Sequence, residues 1–182
     1  EEAGITPIVI GSESATFEEA YKGIELIGKA TGTSGKAEEI ITGMEEKMDE
    51  IKEKAKGISD KKKVLVEIQP EPTIFAAGGN TFLDEMLAII GAENAAGAEE
   101  GWPEYTEEEA VALNPDVIIA TYGDYIDNPV SLVLARKGWQ EVEAIKNKQV
   151  YEVDSDTVTR PGPRLTDGVE ELAKAIYPEI FQ

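Results

Sequence analysis

The chain has 182 residues, 41% of them hydrophobic, which suffices for one substantial core or two small ones. Its 17 basic against 37 acidic side chains leave a net charge of −20, and the stretch from Val64 to Ala135 carries 14 Asp plus Glu with no Lys or Arg, a surface that repels nucleic acid and anionic membranes. Cys and His are both absent, which excludes disulfides, thiolate nucleophiles, Ser-His-Asp triads and sites built on Cys or His metal ligands.

In chain order, Ile5–Ile10 reads as a strand, with Pro7 marking a strand start or an edge. The chain opens Glu1-Glu2-Ala3, with neither an initiator Met nor a signal peptide, and so reads as a processed product or part of something longer. A helix is expected from Thr16, where Thr16 and Glu19 resemble a capping box and Phe17, Ala20, Tyr21, Ile24 and Ile27 recur at helical spacing. Gly32 and Gly35 are expected to end it. A long helix follows from Ser34 to Lys56, with Ala37, Ile40, Ile41, Met44, Met48, Ile51 and Ala55 on one narrow stripe. Such a helix has one covered side, as a surface helix or as a connector laid along two lobes.

From Lys61 strands and helices alternate. Val64–Ile68 is a strand, Thr81–Ile90 a helix, Thr106–Leu113 a short acidic helix and Asp116–Thr121 a continuous apolar strand of the buried parallel kind. Short helical stretches at Val130–Leu134 and Gly138–Ile145, a strand at Gln149–Val153 and a helix at Leu165–Ile176 complete the series. The alternation predicts a three-layer α/β/α sandwich with a mainly parallel sheet, and ligands in such folds meet the loops at the carboxyl ends of the strands.

Those loops hold the unusual residues. Gly78-Gly79 before a helix start has two readings, an anion cradle of free N–H groups or a flexible turn with Asn80 or Thr81 as N-cap. Glu99–Glu109 contains six glutamates in eleven residues, of which Glu107, Glu108 and Glu109 suit a helix start after Thr106. The cluster lacks the alternate Asp/Asn and central Gly of an EF-hand. Trp102 lies in a polar Gly/Pro loop outside any periodic apolar pattern, either facing a ligand or packed inward. Arg160 and Arg164 bring two cations to a helix start, where Asp154, Asp156 or a ligand must compensate them. No acid–base pair stands out, so binding is expected rather than catalysis.

The order IELIGKATG, the long amphipathic helix, PTIFAAGGNTFLDEML, GAEN, WPEYTEEEAVALNPDVIIAT, GWQEVEAIKNKQVYEVDSD and RPGPRLTDGVEELAKAIYPE resembles, over essentially the whole chain, the substrate-binding proteins of ABC importers for vitamin B12 and iron-siderophores. The resemblance implies two α/β lobes joined by one long helix with ligand between them. It divides this chain into the end of a first lobe (1–33), the interlobe helix (34–60) and a second lobe (61–182), so that half of the cleft lies outside it. Trp102, Phe75, Asp156 and Arg160 match positions that cobalamin-binding members use for ligand, and Tyr122, directly after the Asp116–Thr121 strand, is counted with them. Glu108 matches a glutamate that docks on arginines of the permease. The implied ligand is a corrinoid, with an iron-siderophore or haem as the alternative, because the loops offer only Arg160 and Arg164 to an anionic complex. A zinc or manganese receptor would supply His. No resident cofactor is expected, and the implied location is the periplasm or the cell surface as a lipoprotein. A non-catalytic α/β interaction module is the alternative of another class. The uncovered stripe of the long helix and the strand at Ile5–Ile10 predict that this chain dimerises.

Overall fold

The computed structural model describes residues 16–182, so the strand expected at Ile5–Ile10 lies outside the described residues. Helix α1 (Phe17–Thr31) starts where Thr16 Oγ1 accepts a hydrogen bond from the Glu19 amide and ends at Gly32, left-handed at φ 72°. Gly35 does not help to end it. One left-handed residue suffices to reverse the chain, and Gly35 already belongs to α2 (Ser34–Ala55). Ile27 is exposed although it shares the apolar spacing of α1, and Gly28 is buried in its place. A Cβ on Gly28 would stand 2.6 Å from Ala37 Cβ, so the missing side chain is what lets the two helices cross closely.

Helix α2 buries Ala37, Met44, Met48 and Ile51 and leaves most of its circumference to solvent, as its narrow stripe predicts. Beside its buried face lie α3 (Phe82–Ile89) and α8 (Leu165–Ile176). Lys47 reaches across to Asp167 and Glu170 of α8, at 2.8 Å each.

The sheet has the order β4-β2-β1-β5-β6, with β3 (Glu93–Asn94) beside the start of β1. Its parallel part is β1 (Lys63–Gln69), β5 (Val117–Ala120), β6 (Val150–Glu152) and the short β3. The Ile74–Ala76 segment, expected as loop, is a further strand, β2, antiparallel to β1, and β4 (Glu104–Tyr105) pairs antiparallel beyond it. Strands of two or three residues are too short to show an alternation, so the sequence pattern carried no sign of them.

Period-two alternation sends successive side chains of β1 and β5 into two cores. Val64, Val66, Val117 and Ile119 pack with α1, α2, α3 and α8. Leu65, Ile118 and Ala120 pack with Ala110 of α4 (Glu107–Leu113), Val133 of α5 (Pro129–Leu134) and Ala144 of α6 (Glu143–Lys146). The result is the expected three-layer α/β/α sandwich with a mostly parallel sheet.

Candidate functional site

The parallel strands end at Gln69, Ala120 and Glu152, and the loops that follow share one end of the sheet. Phe75 joins them because β2 runs back along β1, placing Phe75 opposite Gln69. The chain around Trp102 is drawn in by hydrogen bonds from the amides of Ala76 to Pro103 O (3.0 Å) and Gly78 to Gly101 O (2.8 Å). Phe75 is half-buried and Trp102 is 45% exposed.

The same ladder decides the glycine pair. The Gly79 amide donates to Glu99 O at 2.7 Å, so both N–H groups are consumed by backbone and no anion cradle is left. Close approach is why glycine stands here, since a Cβ on Gly78 would lie 2.2 Å from Glu99 O. Thr81 caps α3, accepting from the Asp84 amide at 3.2 Å, as one of the two readings expected.

Tyr122 does not face the loop end. It is fully buried, and its hydroxyl donates to Glu67 Oε2 at 3.0 Å. Tyr122 continues the inward face of Ile118 and Ala120 by the same alternation, a signal that the sequence did contain. Burial, with the Glu67 charge beside it, pushes its phenol well above the usual range. Arg136 Nη1 and Nη2 fork onto the two Glu67 oxygens at 2.6 and 2.8 Å, and Nε reaches Glu71 at 3.0 Å. Burial disfavours the charge on Arg136, but its hydrogen bonds to Glu67 and the negative charge there outweigh this and raise the guanidinium above its ordinary value. The Trp139 ring lies 4.7 Å from the guanidinium carbon. Besides Trp102, an aromatic that does face outward at this end is Tyr125, 64% exposed, three residues beyond Tyr122.

Beyond β6, Asp154 caps the short helix α7 (Ser155–Val158), accepting from the Asp156 amide at 2.8 Å. Asp156 binds Arg160 Nε through one oxygen and lies 3.6 Å from Arg164 Nη2 through the other. It is therefore Asp156 that compensates the two cations before α8. Phe75 and Trp102 thus form one group, at the β2–β4 edge, and Asp156 with Arg160 forms another, after β6. Four strand intervals separate β4 from β6, or roughly 19 Å at about 4.8 Å each.

At the start of α4 the Thr106 hydroxyl accepts from the Glu109 amide, and the Glu109 carboxylate accepts from the Thr106 amide at 2.8 Å. That backbone hydrogen bond, helped by the Thr106 hydroxyl, lowers the Glu109 carboxyl below its ordinary range. Glu108, one turn face away, is exposed and makes no ion pair among the described residues.

An α/β sandwich that gathers exposed aromatic and charged side chains at the carboxyl ends of parallel strands is built as solute-binding α/β folds are. The chain belongs to the periplasmic binding protein family, whose model matches residues 1–157. Over its whole length it is 45% identical to the uncharacterized ABC transporter substrate-binding lipoprotein YvrC of Bacillus subtilis, covering 57% of that protein. It is 25% identical to the molybdate-binding protein MolA of Haemophilus influenzae, matching 100% of this chain and 52% of that one. With a vitamin B12-binding protein of Vibrio parahaemolyticus it shares 22% identity over 90% of this chain and 58% of that one. The chain therefore spans a little over half the length of these curated relatives. Among solved structures, a possible iron-binding periplasmic solute-binding protein from Staphylococcus epidermidis superposes with a TM-score of 0.87 at 28% identity, over 97% of this chain and 68% of that one.

Proposed function

We propose that this chain belongs to the extracytoplasmic substrate-binding component of an ABC importer, which holds a corrinoid between this lobe and a second one and delivers it to the permease. In this reading α2 is the helix between the lobes, Phe75, Trp102, Asp156 and Arg160 contact ligand, and Glu108 docks on the permease. Binding is the activity named for the relatives, and the lipoprotein relative supports a location outside the cytoplasm. Among the described residues no helix is long and apolar enough to cross a membrane.

The observation that carries the ligand class is the placement of the two candidate groups at opposite edges of the sheet, Phe75 and Trp102 by β2 and β4 and Asp156 with Arg160 after β6, three to four strand intervals apart, or roughly 14–19 Å. A small oxyanion such as molybdate asks for a compact cluster of donors, whereas the N–H groups of Gly78 and Gly79 are already taken. An anionic iron complex asks for free cations, and Arg160 and Arg164 are both engaged by Asp156. A large neutral or cationic corrinoid suits an acidic rim with aromatics at one side. Titration of the whole protein with cyanocobalamin, hemin, a ferric siderophore and molybdate, followed by tryptophan fluorescence, tests this. Corrinoid binding is the expected result. Tight binding of hemin or siderophore alone moves the reading to the alternative ligand, and binding of none favours the plain interaction module.

Self-association belongs to the same proposal. The α2 stripe expected to drive it is covered within this chain, Met44, Met48 and Ile51 being buried in the core with α1, α3 and α8, so the apolar surface left for it is Leu26 and Ile27, exposed on α1. An apolar pair left open to water favours association of copies. Light scattering of this chain is expected to report a dimer, and a monomer at high concentration defeats the claim.

A further inference from the structure

We infer that Tyr125 is a ligand-contacting residue, a ring surface in the middle of the binding face onto which a large ring system or apolar face of the ligand lies. This rests on the reading of the carboxyl-end loops as the ligand face. Tyr125 is the most exposed large hydrophobic side chain among the described residues, at 64%. It is not loose. Its hydroxyl donates to Ile68 O at 2.9 Å, near the end of β1, while its backbone lies in the loop after β5. The side chain therefore reaches from the end of β5 to the central strand β1 of the β4-β2-β1-β5-β6 order, between the Trp102 edge and the Asp156–Arg160 edge.

Beneath it, Tyr122 lies with ring centroids 6.3 Å apart, and Tyr122 is itself fixed by Glu67, which Arg136 grips. An exposed aromatic held this way has already lost much of the freedom that binding would otherwise remove, which favours contact. Its hydroxyl proton is committed to Ile68 O, so the ring face is the larger surface left to meet a ligand, beside one acceptor position on the oxygen. That favours an apolar or planar partner over a hydrogen-bond acceptor.

The test uses the whole protein with cyanocobalamin and hemin as probes. Tyr125→Ala is expected to weaken whichever probe binds by about tenfold or more, the size of a lost aromatic contact. Tyr125→Phe keeps the ring and loses one hydrogen bond, so its loss is expected to stay within about threefold. Nitration of Tyr125 by tetranitromethane, read by peptide mass spectrometry, is expected to be rapid in free protein and suppressed in the complex. Unchanged affinity in Tyr125→Ala overturns the inference, as does weakened binding without protection from nitration, which assigns a merely structural role. If Trp102→Ala has meanwhile lost affinity, the ligand face stands and Tyr125 alone falls. If Trp102→Ala and Tyr125→Ala both leave the affinity of the bound probe unchanged, both fall.

Discussion

Arg136 and Glu67 form a two-pronged ion pair, at 2.6 and 2.8 Å, in which the side chains are 5% and 0% exposed. The pair joins the end of α5 to an inner strand of the sheet, and Glu71 extends it to the loop after β1. Breaking such a pair from one side leaves a buried carboxylate with no counter-charge. Arg136→Met is therefore expected to cost about 3–5 kcal/mol in urea unfolding. Glu67→Leu with Arg136→Met is expected to recover much of that loss, since an apolar pair carries no desolvation cost. A double variant no more stable than Arg136→Met would show that packing, not charge, sets the effect.

A second expectation concerns acid. Glu170 is lowered to about 2 by its hydrogen bonds with Lys174 and Lys47. Because its folded value lies below the unfolded one of 4.5, it contributes stability above about pH 4.5 and loses it as pH falls toward 2. The carboxylate is 37% exposed, so screening holds the contribution to about 1 kcal/mol or less. Glu170→Gln should lower the urea midpoint slightly at pH 6, and the difference from wild type should close by about pH 2. A difference constant across that window would exclude the linkage.

The two tryptophans are expected to separate stability from binding. Trp139 is fully buried, and Trp139→Ala should cost about 3–5 kcal/mol. Trp102 is 45% exposed, so Trp102→Ala should cost well below that while weakening ligand binding. A stability loss at Trp102 equal to that at Trp139, with affinity intact, would make Trp102 a packing residue.

Glu108 offers a test of docking apart from ligand binding. Glu108→Arg should impair transport and complex formation with the permease while leaving ligand affinity near wild type. The capping box of Thr106 and Glu109 remains in place in this variant, so α4 should keep its circular-dichroism signal and melting point. Full transport by Glu108→Arg removes the docking role.

Much of the fold was legible because its longer elements carry strong periods. Helices α1, α2, α3 and α8 announced themselves by apolar stripes and by Thr16, Thr81 and Gly32 at their ends. What escaped was either short or defined by tertiary contact. Strands β2 and β4 exist because the chain after β1 doubles back onto it, and three residues carry no pattern of that return. The Gly78-Gly79 pair looked free for an anion because the passage of Glu99–Pro103 against it comes from twenty residues away. Of the candidate site residues, Trp102 is exposed, one of its two expected placements, and Asp156 pairs with Arg160 as their charges suggested, whereas Tyr122 required the alternation of β5 to be carried two residues past its end.

The distance in sequence between Glu67 and Arg136, 69 residues, also orders the making of this lobe. A nascent chain that has emerged through β5 carries the strand-borne acid but no cation from Val64 onward with which to neutralise it. Sealing that carboxylate away from water before Arg136 leaves the ribosome would be unfavourable by several kcal/mol. The α4–α5 side of the sheet is therefore expected to stay hydrated until Arg136 arrives, and the opposite side, whose core takes in α8, can be completed only after that. Closure of the α4–α5 side is thus expected to wait on the arrival of a single arginine.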